Sequence, residues 1–257
     1  VGELGEEHTM IVYDPRNPIA VAHAGRLKAR ITDACHQDIT IVIGGDGFLL
    51  HTVAELGFDK VYLGLNAGRV GFLLNDVDHW DRVIEQLQTR SWRPWTFPVL
   101  RAECRTMDGE TIVVHAVNDV YLERASGQTA RLSLTVDEAK VVETLVCDGI
   151  IVSTALGSTA YNFSAGGPAC HPTLQVLAVT PICPHLPKLS PFALPLDGHV
   201  EVGVQLGDKR PVRAVADGRY VAQVEHVSIR VADVGMELAY LDGHDFTARM
   251  VRKILHP

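Results

Sequence analysis

From the start of the chain to about residue 90, apolar residues fall into short runs of two kinds. Segments 9–13 (TMIVY), 38–43 (DITIVI) and 61–65 (VYLGL) are β-branched or apolar without alternation, the pattern of strands buried on both faces. Between them, 18–35 carries Ile19, Ala22, Leu27, Ile31 and Ala34 at roughly helical spacing, with Pro18 near the start, where proline is tolerated. Segment 48–56 reads as a helix and 80–87 as an amphipathic one. Strand and helix in alternation predict a parallel sheet in an α/β layer. After Ser91 the pattern changes. Trp92, Pro94, Trp95 and Pro98 mark a boundary, and short strands follow at 100–105, 111–114, 117–123, 132–136, 141–146, 200–204, 212–216, 223–231 and 237–240. Asp108-Gly109 and Ser126-Gly127 are turn signals among them. The expected organisation is an α/β N-terminal domain over 1–95 and a mostly antiparallel β domain over 96–240. A helix at 246–255 is expected to return, within 241–257, to the first domain.

One stretch breaks both patterns. Segment 148–172 (DGIIVSTALGSTAYNFSAGGPACHP) begins as a buried strand at Ile150, Ile151 and Val152, then becomes a run of Ser, Thr, Ala and Gly that ends on Gly166-Gly167-Pro168. Small side chains let a ligand approach the backbone, and hydroxyls with N–H groups supply hydrogen bonds. A second such place is Gly44-Gly45-Asp46-Gly47, at the end of the predicted strand 38–43. That position puts a carboxylate at the carboxyl edge of a parallel sheet, where α/β ligands bind. The glycines remove Cβ atoms around it, so phosphates can lie against backbone N–H groups. An ionised Asp46 can accept a proton from a hydroxyl or share in holding Mg²⁺. The plainer reading is a turn that needs Asp and Gly for geometry alone. Asn118-Asp119, Asp148 and Asp217 offer acceptors, and Asn118 an amide, for a ligand rich in hydroxyl and amino donors such as a nucleoside. The plainer reading of Asn118 and Asp119 is a pair of solvated strand residues.

Composition narrows the classes. The chain has 257 residues, 47% hydrophobic and 21% charged, which suits a globular protein with a real core. A net charge of −8 with no basic block argues against nucleic acid as the main partner. No apolar run reaches the length of a membrane span, and no segment resembles a signal peptide. Cys35, Cys104, Cys147, Cys170 and Cys183 are odd in number and widely spaced, which fits a reducing cytoplasm better than a disulfide framework. The 12 histidines are scattered without H-E-x-x-H. Neither G-x-x-x-x-G-K-[ST] nor a G-x-G-x-x-G between strand and helix occurs, which weakens a P-loop ATPase and a Rossmann dehydrogenase.

Taken together, the motifs resemble the NAD kinase family along nearly the whole chain. They are GGDG at 44–47, LNAGRVGFL at 65–73, NDV at 118–120, the 148–172 stretch, PICPH at 181–185 and DG at 217–218. GGDG is shared with diacylglycerol kinases and phosphofructokinases; its combination with GSTAYNFSAGGP is specific. The resemblance implies phosphoryl transfer from ATP or polyphosphate to the adenosine ribose 2′-hydroxyl of NAD, giving NADP, with Mg²⁺ accompanying ATP. It also implies an α/β domain, a β-sandwich-like domain, a cytoplasmic location and a homodimer or homotetramer. By position, Asp46 matches the catalytic base, and Gly47 and Phe72 match residues lining the dinucleotide site. Asn118 and Asp119 match the pair that binds the adenosine half. Asp148, Thr159, Ala160, Tyr161 and Ser164 match further substrate contacts, and Cys183 falls beside the ligand. Gly44, Gly45, His51, Asn66 and Asp217 complete the expected nucleotide-binding set; no metal ligands are assigned. Departures are Phe48, Ala67, Ala155-Leu156 and Arg219, where the family usually has GGDGT, NTG, TPTG or TPSG, and a polar amide. They leave open a relative that phosphorylates another nucleotide or a small alcohol, and a non-catalytic sensor of NAD(P).

Overall fold

The computed structural model describes residues 10–31, 39–68 and 71–255. Thr9, the end of the predicted first helix at 32–35, Cys35, Asp38, and Arg69-Val70 lie outside them. The chain divides into two compact units, 1–97 with 235–257, and 98–234.

The first unit is the α/β layer. Strands β1 (Met10–Tyr13), β2 (Ile39–Gly44) and β3 (Val61–Asn66) run parallel, with Met10 opposite Thr40 and Ile39 opposite Val61. The C-terminal part of β15 (Val224–Leu241) adds a fourth parallel strand, Glu237 opposite Val61. The helices are α1 (Pro18–Lys28), α2 (Asp46–Leu56), α3 (Trp80–Gln88) and α5 (Phe246–Leu255). On one face, Ala20, Ala24 and Leu27 of α1 and Val83 and Leu87 of α3 pack on Ile41, Ile43, Leu63 and Leu65. On the other, Leu49 of α2 and Leu74 close over Gly64, where a Cβ would stand 2.3 Å from the Leu74 side chain. Both faces of β2 are therefore buried, which accounts for its unbroken apolar run.

Two helix boundaries differ from the sequence expectation. Helix α1 stops at Lys28, with Ala29 as its cap and Arg26 and Lys28 in the last turn, where cations interact favourably with the helix dipole. Helix α2 begins at Asp46 rather than Phe48, because Gly45 is extended (φ −103°, ψ 173°) and acts as N-cap. The GGDG segment is thus the strand end, cap and first helical turn together.

The second unit is a two-sheet antiparallel sandwich. One sheet holds β5 (Thr111–Ala116), β4 (Trp92–Thr106), β15, β12 (Val200–Val204), β7 (Ala130–Val136) and β8 (Ala139–Cys147). The other is ordered β11 (Phe192–Pro195), β10 (Val176–Ile182), β9 (Gly149–Thr154), β6 (Asp119–Arg124), β13 (Val212–Ala216), β14 (Arg219–Val221). Leu100, Leu132, Val202 and Val227 of the first sheet meet Leu122, Ile150, Val179 and Ala214 of the second. Each such aliphatic side chain, fully buried, contributes on the order of 1.5–3 kcal/mol. The expected strands 223–231 and 237–240 are one strand, β15. The interruption read at 232–236 lies within the same strand, with Asp233 and Val234 exposed and Met236 buried. Among the described residues no helix is long and apolar enough to cross a membrane.

Candidate active site

In the first unit the acid sits at the turn from β2 into α2. Its carboxylate is not idle: Oδ2 accepts the N–H of Phe72 at 2.8 Å and Oδ1 that of Leu73 at 3.0 Å. A carboxylate offers about four lone-pair sites, so two N–H bonds do not exhaust it. Phe72 itself is buried, 2% exposed. Cβ atoms placed on Gly45 or Gly47 would meet none of the described residues within 4 Å. At Gly44 a Cβ would stand 2.8 Å from the Phe48 ring, which lies over the strand end and is half-buried. Asn66 turns the chain after β3, its Oδ1 accepting from the Gly68 N–H at 2.8 Å. His51 is exposed on α2 and pairs with Glu55 one turn on, at 3.1 Å.

The loop that feeds Phe72 and Leu73 to Asp46 is held by two residues the sequence reading missed. Buried Asn75 donates from Nδ2 to the carbonyls of Gly64 and Ala239, and its Oδ1 accepts from the Leu241 N–H. It does for three backbone groups what a strand ladder would do. Arg249 of α5, 7% exposed, donates to the Gly71 carbonyl and pairs with Asp76 at 2.8 Å. The signal for Arg249 was present: it shares an apolar helix face with Phe246, three positions earlier. Asn75 follows two buried leucines and carries no motif.

In the second unit the expected residues gather along β6 and β9. Asp217, in the left-handed region (φ 44°), accepts the N–H groups of Val117, Asn118 and Asp119 at 2.6, 3.0 and 3.4 Å. Its carboxylate is therefore spent on the backbone. Asp119 is 5% exposed, and among the described residues none donates a hydrogen bond to its carboxylate. Burial, and then the Asp217 carboxylate, push Asp119 from its ordinary 3.8 up to about 7. Burial also raises Asp217, but three N–H groups oppose that; the charge of the pair resides on Asp217, which has the donors. Asn118 leaves its side chain half-buried, while its carbonyl accepts from the Thr154 N–H at 2.9 Å.

The Ser/Thr segment is not the long loop its composition suggested. β9 runs to Thr154, a 3-10 turn covers Gly157–Thr159, and a short helix α4 covers Tyr161–Ser164. Hydroxyls that could have faced a ligand instead hold this turn: Thr154 Oγ1 donates to Val117 O, and Ser158 Oγ to Ala155 O. Asn162, fully buried, donates to Ser158 O and Pro168 O and accepts from the Thr180 hydroxyl. Thr159 is the exception, with a buried Oγ1 that has no partner among the described residues. Ala160 is half-buried between turn and helix, and Ser164 is exposed. Tyr161 stacks edge-on against Tyr121 at 4.9 Å. Burial, then Glu123, Cys183, Asp119 and Asp148, raise its phenol, so these groups all lie around one ring. Asp148 pairs with Arg124 at 2.8 Å and adjoins Cys183 through its N–H to Ile182 O. Cys183 is exposed and in the left-handed region (φ 45°).

Comparison with known proteins gives this geometry a family. Residues 117–236 match the ATP-NAD kinase C-terminal domain. The chain is 39% identical over 204 residues to an NAD kinase of Rhizobium meliloti (strain 1021), across 77% of this chain and 76% of that protein. The chain belongs to the NAD kinase family. An NAD kinase of Zymomonas mobilis is 37% identical over 223 residues, 84% of each chain. Two solved structures share the family fold. Yeast NADH kinase complexed with NADH has a TM-score of 0.80 at 21% identity, covering 97% of this chain and 87% of that one. An NAD kinase from Archaeoglobus fulgidus in complex with ATP has a TM-score of 0.76 at 23% identity, covering 96% and 98%. Of the departures from the family's motifs, Ala67, Ala155 and Leu156 are buried, and the Phe48 ring lies close to Gly44. Arg219 is exposed at the start of β14.

Proposed function

We propose that this chain transfers the γ-phosphoryl group of ATP to the adenosine ribose 2′-hydroxyl of NAD, giving NADP. Family membership supports the reaction, and one observation carries its assignment to residues: Asp46 lies at the start of α2, held by two N–H groups. Asp46 takes the proton of the 2′-hydroxyl as the new P–O bond forms. Phosphoryl transfer asks little covalent work of the protein; it asks for an aligned hydroxyl, a base and donors over the phosphates. In the first turn of α2 the Phe48 and Leu49 N–H groups donate to Gly45 O, and the positive end of the helix dipole ahead of them suits those phosphates.

The second unit is proposed to bind the dinucleotide. Asn118 and Asp119 serve the adenosine half, where Asp119 is buried without a donor among the described residues and accepts one from the ligand. Thr159 Oγ1, also without a partner among the described residues, supplies a hydroxyl, and Tyr161 an aromatic face. The Asp46 carboxylate, at the start of α2, would hold a magnesium ion carried by ATP, since Mg²⁺ commonly takes one or two carboxylates besides phosphate oxygens. When bound, the ion would neutralise charge building on the transferred phosphoryl group. A cytoplasmic location agrees with the free thiols of Cys104, Cys147, Cys170 and Cys183. A homodimer or homotetramer agrees with the exposed Leu186 and Tyr220 of the second unit, and light scattering reads the mass directly.

The deciding experiment is a coupled assay with ATP, Mg²⁺ and a panel of acceptors, run on the wild type and Asp46→Asn. NAD is expected as the preferred acceptor, with kcat lowered by about 10²–10⁴ in the variant, the span of a general base. Near-wild-type turnover by folded Asp46→Asn would remove Asp46 from the mechanism.

A further inference from the structure

The two hydrogen bonds on either side of residues 71 and 72 belong to a single peptide group. Its carbonyl, on Gly71, accepts from the Arg249 guanidinium at 2.5 Å. Its N–H, on Phe72, donates to Asp46 Oδ2 at 2.8 Å. A cation on the oxygen of an amide draws electron density toward that oxygen and makes the N–H a stronger donor; hydrogen bonds in series polarise one another in this way. Arg249 is fixed for the purpose: it is 7% exposed, and its second nitrogen is held by Asp76 at 2.8 Å. Asp76 also takes Arg252 at 3.4 Å, so the anchor is shared and Arg249 need not leave Gly71 to find its charge partner. Tyr240 of β15 lies near both ends of the relay; its charged form is disfavoured by burial and by Asp46, so it stays a neutral phenol there.

We propose that Arg249 is a positioning residue for Asp46, acting through the Gly71–Phe72 peptide. The inference rests on the reading of Asp46 as the proton acceptor. Arg249 touches neither substrate nor reacting atoms. It fixes the direction of the Phe72 N–H, which in turn fixes which lone pair of Oδ2 is presented to the 2′-hydroxyl. A rotated carboxylate leaves the dinucleotide bound and the hydroxyl misaligned, so the loss falls on kcat and not on KM.

The test is a double-mutant cycle. Arg249→Met with Asp76→Asn removes the buried ion pair together and keeps the volume; the Arg252 that also loses Asp76 is exposed to solvent. Arg249→Lys keeps the charge but replaces the two-pronged guanidinium by a point donor, and carries the same comparison if the first variant does not fold. Rates are referred to folded enzyme by circular dichroism and melting. With native Asp46, kcat is expected to fall about tenfold or more while KM for NAD stays within about threefold. In an Asp46→Asn background the same changes are expected to cost less than about twofold, because the group they act through is gone. An equal loss of kcat in both backgrounds, or an unchanged kcat with native Asp46, overturns the proposal and leaves Asp46 as base untouched. A wild-type rate in Asp46→Asn alone overturns the reading of the base, a different result from either.

Discussion

Asp119 and Asp217 are two neighbouring carboxylates with opposite circumstances. Among the described residues, Asp217 receives three backbone N–H groups and Asp119 none, so one acid carries the charge and the other is held partly protonated near neutral pH. The folded state therefore binds more protons than the unfolded chain between about pH 4 and 7, and stability falls as pH rises through that window. Each pKa unit is worth roughly 1.4 kcal/mol, so the whole effect is on the order of a few kcal/mol. Asp119→Asn should flatten the dependence of melting temperature on pH from 5 to 8. A wild-type slope in that variant would assign the titration to another group. A ligand donor on Asp119 favours its ionised form, so NAD binding near pH 7 should release a proton. Calorimetry in two buffers of different ionisation enthalpy reads that release, and its persistence in Asp119→Asn would rule out Asp119 as the source. Phe48 is also decided at this scale. Its contact with Gly44 makes the ring a packing element, and Phe48→Thr should lower the melting temperature by several degrees, a loss of about 1–3 kcal/mol. A melting temperature held at the wild-type value, with a lower KM for ATP, would instead make the ring an obstruction in the donor site.

Within single elements, glycines of similar appearance in the sequence have different duties. Gly157 begins the 3-10 turn, and a Cβ there would stand 2.1 Å from the Asn118 carbonyl. Neither backbone can give way cheaply, so Gly157→Ala should cost about 1–3 kcal/mol and weaken NAD binding by displacing Asn118. Gly47 lies in the first turn of α2, with nothing within 4 Å of the place an alanine methyl would take. Gly47→Ala should leave the melting temperature unchanged or slightly higher, since alanine favours the helix. If a phosphate or ribose occupies that space, the same methyl should raise KM at least tenfold. Unaltered kinetics in Gly47→Ala would show that no substrate approaches the turn. The sequence announced both glycines but could not separate them, because the difference lies in which distant backbone passes close by. The same holds for the hydroxyls of the 153–164 segment: composition suggested ligand donors, whereas those of Ser153, Thr154 and Ser158 bond backbone carbonyls.

Across the whole molecule, the two units are built on different principles of chain economy. The second is continuous in sequence, whereas the first is closed by returning residues 235–257. That return brings in Asn75's partners on β15 and Arg249 on α5. The cysteines report on the second unit's integrity. Burial raises the thiols of Cys104 to about 11 and of Cys147 to about 12, while Cys183 is exposed. In native protein at pH 8 a thiol reagent should modify Cys183 rapidly, and Cys104 and Cys147 only at the rate of unfolding. Mass-resolved labelling that found the buried pair modified as fast as Cys183 would show that the sandwich opens locally far below its global stability.

By itself the sequence determined the elements and the chemistry that can be written in adjacent residues. Unbroken apolar runs gave the parallel strands, short strands with turn signals among them gave the sandwich, and GGDG with the 148–172 segment gave the family resemblance and its candidate acid. These features are local, and the physical forces that read them, burial of one face and freedom from Cβ atoms, act over a few positions. Tertiary structure alone decided which acceptors are spent and which remain. Asp217 and Asp119 look alike as letters in a chain, yet among the described residues one serves three N–H groups and the other none. Asn75 and Arg249 carry no motif, and their partners lie 164 and 178 positions away in the chain. Hydrogen-bond capacity is a property of position in space, and a residue's neighbours there are set by how the whole chain closes.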